Sequence, residues 1–239
     1  ARKVIQIQKD LYHNIRGLNH KGHITIGVTS QFGLRMLTEI IPAYKKVFPQ
    51  VTIEITESNV PTLTRMILEE GIDCAVMALN CADAFAEEQV SLLRKEEVLF
   101  AVPAAHGYCL RNRTGIMTRE ELIHEFKDEN FMLSKKGSTL RELADRIFAS
   151  AGFQPSTMCE TNSIIATRAM VAKGIGVTFI ARSCVSDREN VAYYSLNPRM
   201  YRYNALVRRK NLIQNEPERA LFQHIRGYFE RQDEDGPAD

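Results

Sequence analysis

The feature of this sequence that most constrains its fold is a regular alternation of strand-like and helix-like segments. Strands place apolar residues at every second position, whereas helices place them at intervals of three and four. The first part of the chain reads as strand 23–28, helix 31–47, strand 51–56, helix 61–70 and strand 72–77. Strand–helix–strand units of this length are typical of a parallel sheet with helices on both faces. We therefore expect an α/β fold with a doubly wound sheet.

A second series of strands and helices follows, separated from the first by a block at 79–90 with weak patterning. Its expected segments are strands at 96–103, 107–110 and 131–133, helices at 139–150 and 163–173, strands at 175–181, 191–196 and 202–209, and a helix at 216–230. The last strand and helix can return to the first series. The sequence thus predicts two similar α/β halves.

The first 20 residues predict an amphipathic helix with a single apolar stripe. Val4, Ile7, Leu11, Ile15 and Leu18 recur at intervals of three or four. Such a stripe needs a partner, which is either the domain that follows or the same helix of a second copy.

Composition excludes several classes of protein. The net charge of +2 is too small to indicate a nucleic-acid surface, and no apolar run approaches the roughly 20 residues that span a bilayer. We expect a cytoplasmic protein with a sizeable core. The five cysteines include no CxxC pair and fit reduced, mostly buried thiols. Cys109 and Cys159 lie in stretches that read as strands.

Motifs that would identify an enzyme are missing from the sequence. GxGxxG, GxxxxGK[ST], GxSxG and HExxH do not occur, and the six histidines show no metal-ligand spacing. We therefore expect no catalytic residues, no bound metal and no cofactor.

Polar side chains recur where a predicted strand ends and a helix begins. Ligands of open α/β sheets bind beyond the carboxyl ends of the strands, and helix N-termini favour anions. We expect four such loops to converge on one ligand site, with these candidate residues: Thr29, Ser30 and Gln31; Ser58 and Asn59; Ser134 and Lys135; Thr161 and Asn162. One lysine of the pair Lys135–Lys136 is a candidate partner for a carboxylate. The alternative for any single loop is helix capping alone, because Ser, Thr and Asn are preferred N-caps whatever the function.

Beyond these patterns, the stretch GHITIGVTSQFGLRMLTEIIPAYKKVFPQVTIEITE resembles the start of the effector-binding domain of LysR-type transcriptional regulators. The similarity lies in the Gly-rich entry to the first strand, in Ile41-Pro42, Phe48-Pro49 and Val51, and in Glu57 at the end of the next strand. EEGIDCAVM and MVAKGIGVTFIA resemble two later motifs of that family. Ala181 stands where the family usually has proline.

The resemblance implies two Rossmann-like lobes joined by two crossover strands, a fold similar to type 2 periplasmic binding proteins. It implies lobe I at 23–103 plus 207–239, lobe II at 104–206, crossovers near 100–106 and 204–208, and a linker and dimerisation helix at 1–20. A ligand would lie between the lobes. The family's winged helix-turn-helix would precede residue 1 and is not in this sequence, so we expect no specific operator binding by the chain as given.

The function implied by the resemblance is that of an effector sensor in a transcription regulator. Its expected partners are a small organic anion, a second copy in a homodimer or tetramer, and DNA only through the missing domain, with no membrane partner. One alternative is a solute-binding protein of the same fold, which would be a monomer. Another is a thiol-based redox sensor that uses two of the cysteines Cys109, Cys159 and Cys184.

Overall fold

The predicted alternation of strands and helices is present in a computed structural model. The model describes residues 22–29, 31–81, 84–210, 212 and 214–234. The strands are β1 (His23–Val28), β2 (Thr52–Glu57), β3 (Cys74–Leu79), β4 (Val90–Pro103), β5 (Ile116–Thr118), β6 (Asn130–Leu133), β7 (Ser156–Glu160), β8 (Thr178–Ala181) and β9 (Val191–Arg208). The α-helices are α1 (Gln31–Val47), α2 (Val60–Leu68), α3 (Gly107–Arg111), α4 (Arg119–Phe126), α5 (Thr139–Ala151), α6 (Ile164–Ala172) and α7 (Glu216–Glu234). The predicted helix at 1–20 lies outside the described residues.

Contacts divide the described chain into two units that share two long strands. The first unit comprises 22–77, 84–94 and 205–234, and the second comprises 78–81 and 95–204. The chain therefore passes from one unit to the other within β4 and again within β9, and it also enters the second unit briefly at the end of β3. The lobe boundaries expected from the sequence lie nearby in the same segments, and they stay predictions.

The first unit is built on a sheet with strand order β2-β1-β3-β9, in which β1 pairs parallel with both β2 and β3. In register, Ile26 of β1 lies opposite Ile55 of β2 and Cys74 of β3. Every residue of β3 is buried, as its continuous apolar run predicts. The core joins apolar residues of β1 to Phe32, Met36, Leu37 and Tyr44 of α1, and to Phe222, Ile225, Tyr228 and Phe229 of α7.

The second unit has a core rich in aromatic rings. β4 pairs antiparallel with β8, β5 pairs parallel with β9, and β6 pairs parallel with β7. The ring centroid of Phe100 lies 5.0 Å from that of Phe126 and 5.1 Å from that of Phe179, and Phe131 lies 5.1 Å from Phe148. Such edge-on and tilted pairs each add roughly 0.5–1.5 kcal/mol beyond the area they bury.

Three local predictions are wrong or incomplete. The expected strand at 107–110 is helix α3, because the His106 Nδ1 accepts a hydrogen bond from the Tyr108 backbone N–H at 3.1 Å and caps a helical turn. The two strands expected at 191–196 and 202–209 form one continuous strand, β9. The three-residue strand β5 was not predicted.

No helix in the described part of the chain is both long enough and apolar enough to cross a membrane.

Candidate functional site

Thr29 and Ser58 lie at the carboxyl ends of adjacent parallel strands in the first unit. The Thr29 backbone N–H donates to the carbonyl of Val76 at 3.3 Å, and the Ser58 N–H donates to the carbonyl of Val28 at 3.1 Å. Both residues are half-buried. Main-chain hydrogen bonds thus hold the ends of β1, β2 and β3 side by side.

Of the other candidate residues in the first unit, the structure describes the side chain of Asn59 alone. Asn59 is exposed and caps α2, its Oδ1 accepting a hydrogen bond from the Thr62 N–H at 2.9 Å. Gln31 begins α1, but neither its side chain nor any part of Ser30 is among the described residues. The capping expected of these loops is therefore present at Asn59, and a ligand role for these residues stays a prediction.

In the second unit the two candidate loops are joined directly to each other. The Lys135 backbone N–H donates to Oδ1 of Asn162 at 3.0 Å, and the Thr161 N–H donates to the carbonyl of Leu133 at 3.0 Å. The predicted residues Ser134, Lys135, Thr161 and Asn162 are thus brought together where β6 and β7 end. The loops lead into two capped helices, with Ser138 capping α5 and Ser163 capping α6.

The positive charge beside these loops is only partly neutralised. Arg141 of α5 donates to the carbonyl of Ser134 at 3.2 Å and is ion-paired with Asp145 and Glu160. Its side chain is 11% exposed. Burial by itself would lower the pKa of Arg141, but the hydrogen bonds with Glu160 and Asp145 outweigh it and raise the pKa.

Lys135 and Lys136 remain as cations of the loop. Both side chains are exposed, and neither forms an ion pair with a residue that the structure describes. Their charge is therefore available to an anion in a way that the charge of Arg141 is not.

Sequence reasoning missed two residues of this neighbourhood, Asn80 and Arg141. The Asn80 Nδ2 donates to Oε2 of Glu142 at 2.7 Å and to the carbonyl of Thr139 at 3.4 Å, so it lies against the first turn of α5. The available signal was its position directly after the buried run CAVMAL, as a polar side chain at a strand end like those of the other four loops. Arg141 gave no signal, because a basic residue early in a helix is usually solvated.

Groups suited to metal binding or redox chemistry are few in the described part of the chain. No group of three or more His, Cys, Asp or Glu side chains suited to a metal ion occurs in the described part of the chain. All five cysteines are free thiols, and Cys74 is fully buried. Cys159 lies in β7 as expected, whereas Cys109 lies in helix α3 rather than in a strand.

Comparison with known proteins connects this arrangement to a family. The sequence model described as "LysR substrate binding domain" matches residues 19–230. The probable RuBisCO transcriptional regulator of Trieres chinensis is 24% identical over 169 residues, which cover 69% of this chain and 53% of that protein. The hydrogen peroxide-inducible genes activator of Pectobacterium carotovorum subsp. carotovorum is 25% identical over 224 residues, covering 90% and 71%. The match thus spans about half the length of the first of these relatives.

Solved structures share the fold at low sequence identity. The CcmR regulatory domain of Synechocystis PCC6803 in complex with 2-PG has a TM-score of 0.71 at 13% identity, with 87% of this chain and 97% of that one covered. The effector-binding domain of QuiR in complex with shikimate has a TM-score of 0.68 at 19% identity, covering 88% and 98%. The reduced form of OxyR has a TM-score of 0.66 at 22% identity, covering 89% and 98%. These likenesses confirm the predicted two-lobe α/β fold of the type 2 periplasmic-binding-protein kind.

Proposed function

Because the chain belongs to the family of LysR substrate-binding domains, we propose that it senses a small carboxylate-bearing effector for a transcription regulator. The relatives described above are transcriptional regulators, and the structural neighbours include domains bound to shikimate and to 2-PG. We infer binding without catalysis, in the cytoplasm, where the regulated DNA would be.

One observation carries this proposal: two polar loops of the second unit are hydrogen-bonded to each other at the carboxyl ends of β6 and β7. Asn162 accepts from the Lys135 N–H, so the side chains of Thr161 and Lys135 are presented from neighbouring loops. Loops in this position are where open α/β sheets bind ligands. A bare N-cap would not require a side chain from one loop to fix the backbone of the other.

The charge of these loops supports an anionic effector. Lys135 and Lys136 have no ion pair with any described residue, and the N-termini of α5 and α6 lie beside them. A helix N-terminus stabilises a nearby negative charge by about 0.3–1 kcal/mol, and a lysine adds a point charge. A carboxylate is attracted by both the helix N-termini and the lysine side chains, whereas a cation is repelled by both.

In this proposal the loops at Thr29–Gln31 and Ser58–Asn59 of the first unit complete the site, and the effector lies between the lobes. An effector shifts a protein between two arrangements only by its difference in affinity for them. We propose that the arrangement of the lobes then changes the oligomer, and that the oligomer acts on DNA through a winged helix-turn-helix that precedes this domain.

The test is a binding measurement with a matched pair of threonine variants. Native mass spectrometry of protein purified without added ligand identifies any co-purified acid, and calorimetric titration with that acid, with benzoate and with shikimate gives affinities. We expect Thr161→Val to weaken binding about tenfold, as loss of a hydrogen bond to a charged group does. Thr157→Val, an exposed threonine of β7 four residues earlier, should leave the affinity unchanged.

If Thr161→Val and Thr157→Val bind the effector with equal affinity, Thr161 does not contact the effector. If no carboxylate binds or co-purifies while neutral or cationic metabolites do, the proposed effector class is wrong. Ser30→Ala tests the first unit's contribution in the same assay, and unchanged affinity would remove Ser30.

We propose further that this domain forms a homodimer or a tetramer of the parent protein. Edge strands with apolar side chains are surfaces on which other chains pair. β2 is the edge strand of the first unit, with Ile55 41% exposed, and β7 carries Met158 at 59% exposure. In the same unit as β7, Ile165 of α6 is 61% exposed. Single exposed apolar residues are ordinary, but Ile55 and Met158 lie on edge strands of the two units.

Light scattering at micromolar concentration tests this part. We expect a dimer or larger species for the unmodified protein and a shift toward monomer for Ile165→Ser. Leu110→Ser, which removes a still more exposed leucine from α3, is the matched control. A strict monomer favours the solute-binding alternative instead.

A thiol-based redox sensor is the second candidate function. Cys159 and Cys184 both pack at the margin of one apolar cluster in the second unit, which brings them to the same neighbourhood. Peroxide treatment followed by mass spectrometry tests it. A Cys159–Cys184 disulfide that is absent in Cys159→Ser would support this function, and unmodified thiols would exclude it.

A further inference from the structure

A chain of contacts in the second unit links the helix that follows the Thr161–Asn162 loop to the two strands shared with the first unit. It begins at α6, whose first residues leave that loop. Ser163 caps the helix, and the Thr167 hydroxyl donates to the Ser163 carbonyl at 3.0 Å. One residue later, the guanidinium of Arg168 donates to the carbonyl of Cys184 at 2.9 Å. A displacement of the loop therefore reaches Cys184 through little more than one turn of helix.

The next contact joins this turn to a buried carboxylate. Cys184 ends the short 3-10 helix Arg182–Cys184, which directly follows β8. The Ser183 backbone N–H of this turn donates to Oε1 of Glu96 at 3.0 Å. The neighbouring Arg182 pairs with Glu97, so two successive residues of the turn are held by two successive carboxylates of β4.

Glu96 in turn holds the other shared strand. Its Oε2 accepts from Arg202 at 2.8 Å and from Nδ2 of Asn204 at 3.1 Å, both in β9. Glu96, Arg202 and Asn204 are 3%, 4% and 2% exposed. A charge this deeply buried is stable only with its partners in place, so the geometry of the group is strongly constrained.

The position of this group in the chain gives it a role beyond stability. Glu96 is the second residue of the second unit along β4, and Asn204 is the last along β9. The two long strands through which the chain passes between the units, β4 and β9, are thus fixed by one carboxylate. Apolar packing also connects α6 to β4, since Val171 of α6 and Leu99 and Ala101 of β4 belong to one buried cluster.

We propose that the contacts from Arg168 through Cys184 and Ser183 to Glu96 transmit effector binding from the Thr161–Asn162 loop to β4 and β9. This inference rests on the proposed sensing function, because it gives the loop a signal to transmit. Arg168 and Glu96 are positioning residues in it and do not touch the effector.

The test measures hydrogen–deuterium exchange of the whole chain with no effector added. In Arg168→Met we expect exchange at least threefold faster at 95–101 of β4 and 199–204 of β9, as well as at 182–185. Arg146→Met, which removes an exposed arginine from α5, should change none of these segments. Helix α4 serves as the internal reference, because a general loss of stability would raise its exchange as well.

Glu96→Gln tests the coupling in the reverse direction, from β4 to the loop. In this variant we expect hydrogen exchange at 161–167 to be at least threefold faster. If Glu96→Gln does not fold, Asn204→Ala removes one partner of Glu96 and leaves its pairing with Arg202. When Arg168→Met is combined with either change, the fold increase in hydrogen-exchange rate should be smaller than the product of the increases in the two single variants.

Changes confined to the surroundings of each substituted residue would overturn the proposal and leave a purely structural network. The outcome is independent of the titrations above, because no ligand is present. Failure of the coupling leaves the binding proposal standing, and failure to bind a carboxylate leaves the measured coupling standing.

Discussion

The two units hold their strand-end loops by different means. In the first unit, main-chain groups make the connections, as when the Ser58 N–H donates to the Val28 carbonyl. In the second unit a side chain makes one of them, because Asn162 accepts from the Lys135 N–H. A main-chain bond survives most substitutions, whereas a side-chain bond is lost with its residue. The loops of the second unit are therefore the ones whose shape depends on particular amino acids.

The largest effect that we expect is from Gly176→Ala in the second unit. An added Cβ would lie 2.1 Å from the backbone carbonyl oxygen of Asn130, next to the start of β6. Backbone cannot move without disturbing the β6–β8 contact, so we expect a loss at or above the upper end of overpacking costs, about 3 kcal/mol. Urea unfolding measures it. A loss under about 1 kcal/mol would show that the segment yields easily.

A smaller effect is expected from the corresponding close approach in the first unit, Gly27→Ala. There the Cβ would lie 2.7 Å from Cδ2 of Leu63 and 2.9 Å from Cδ1 of Ile72. Both are ends of flexible side chains, and the Cβ of Ala75 at 3.1 Å has to give way by only a few tenths of an ångström, so we expect about 1–2 kcal/mol in the same assay. If Gly27→Ala lowers the free energy of unfolding as much as Gly176→Ala does, the adjustment of flexible side chains does not explain a difference between the two close approaches.

The difference between the loops is tested by two asparagine variants. Asn59→Ala removes the cap of α2 and Asn162→Ala removes the acceptor for Lys135, and each should cost about 1 kcal/mol of stability. Only Asn162→Ala should also speed hydrogen exchange in the facing loop at 134–138. Equal loop exchange in both variants would contradict the difference between the units.

The smallest effect that we expect is a pH dependence of folding stability that arises from Glu121 in the second unit. The Thr118 backbone N–H donates to Glu121 at 2.7 Å, and this bond, with others from Thr118, Tyr108 and Asn112, lowers the pKa of Glu121. A carboxyl whose pKa is lower in the folded state stabilises the fold above its unfolded pKa and loses that contribution as the pH falls through the folded value.

The Glu121 backbone N–H donates in return to Oγ1 of Thr118 at 3.2 Å, so the two residues form a capping box at the start of α4. Glu121→Gln keeps the capping box but not the charge. Thermal unfolding between neutral pH and pH 3 should show a shallower loss of stability for the variant than for the unmodified protein. Parallel curves would mean that the capping box owes nothing to the charge of Glu121.

Local patterns predicted the elements well where periodicity was long. Helix 31–47 has the bounds that its spacing indicated. Short segments failed: GYCL alternates like a strand, but the capping by His106 is a contact that no period reveals. β5 has three residues, too few for any pattern.

The candidate site was predictable as a set of loops, but not as a connected group. The bond between Lys135 and Asn162 spans 27 residues, and the ion pair between Arg141 and Glu160 joins α5 to β7. Such contacts depend on tertiary packing rather than on spacing along the chain. Asn80 also follows a strand end directly, but in the described residues between it and β4 no α-helix begins, unlike in the other loops.

The sharing of β9 by both units bears on the order in which the protein forms during synthesis. Residues 205–208 and helix α7 complete the first unit, although its β1 precedes the whole of the second unit in the sequence. The second unit ends at residue 204 and is finished earlier. Nascent domains usually fold from the N-terminus onward. Of these two units the one begun first is completed last, so α1 and β1–β3 must wait, while the second unit is synthesised, for the later strand and helix that close their core.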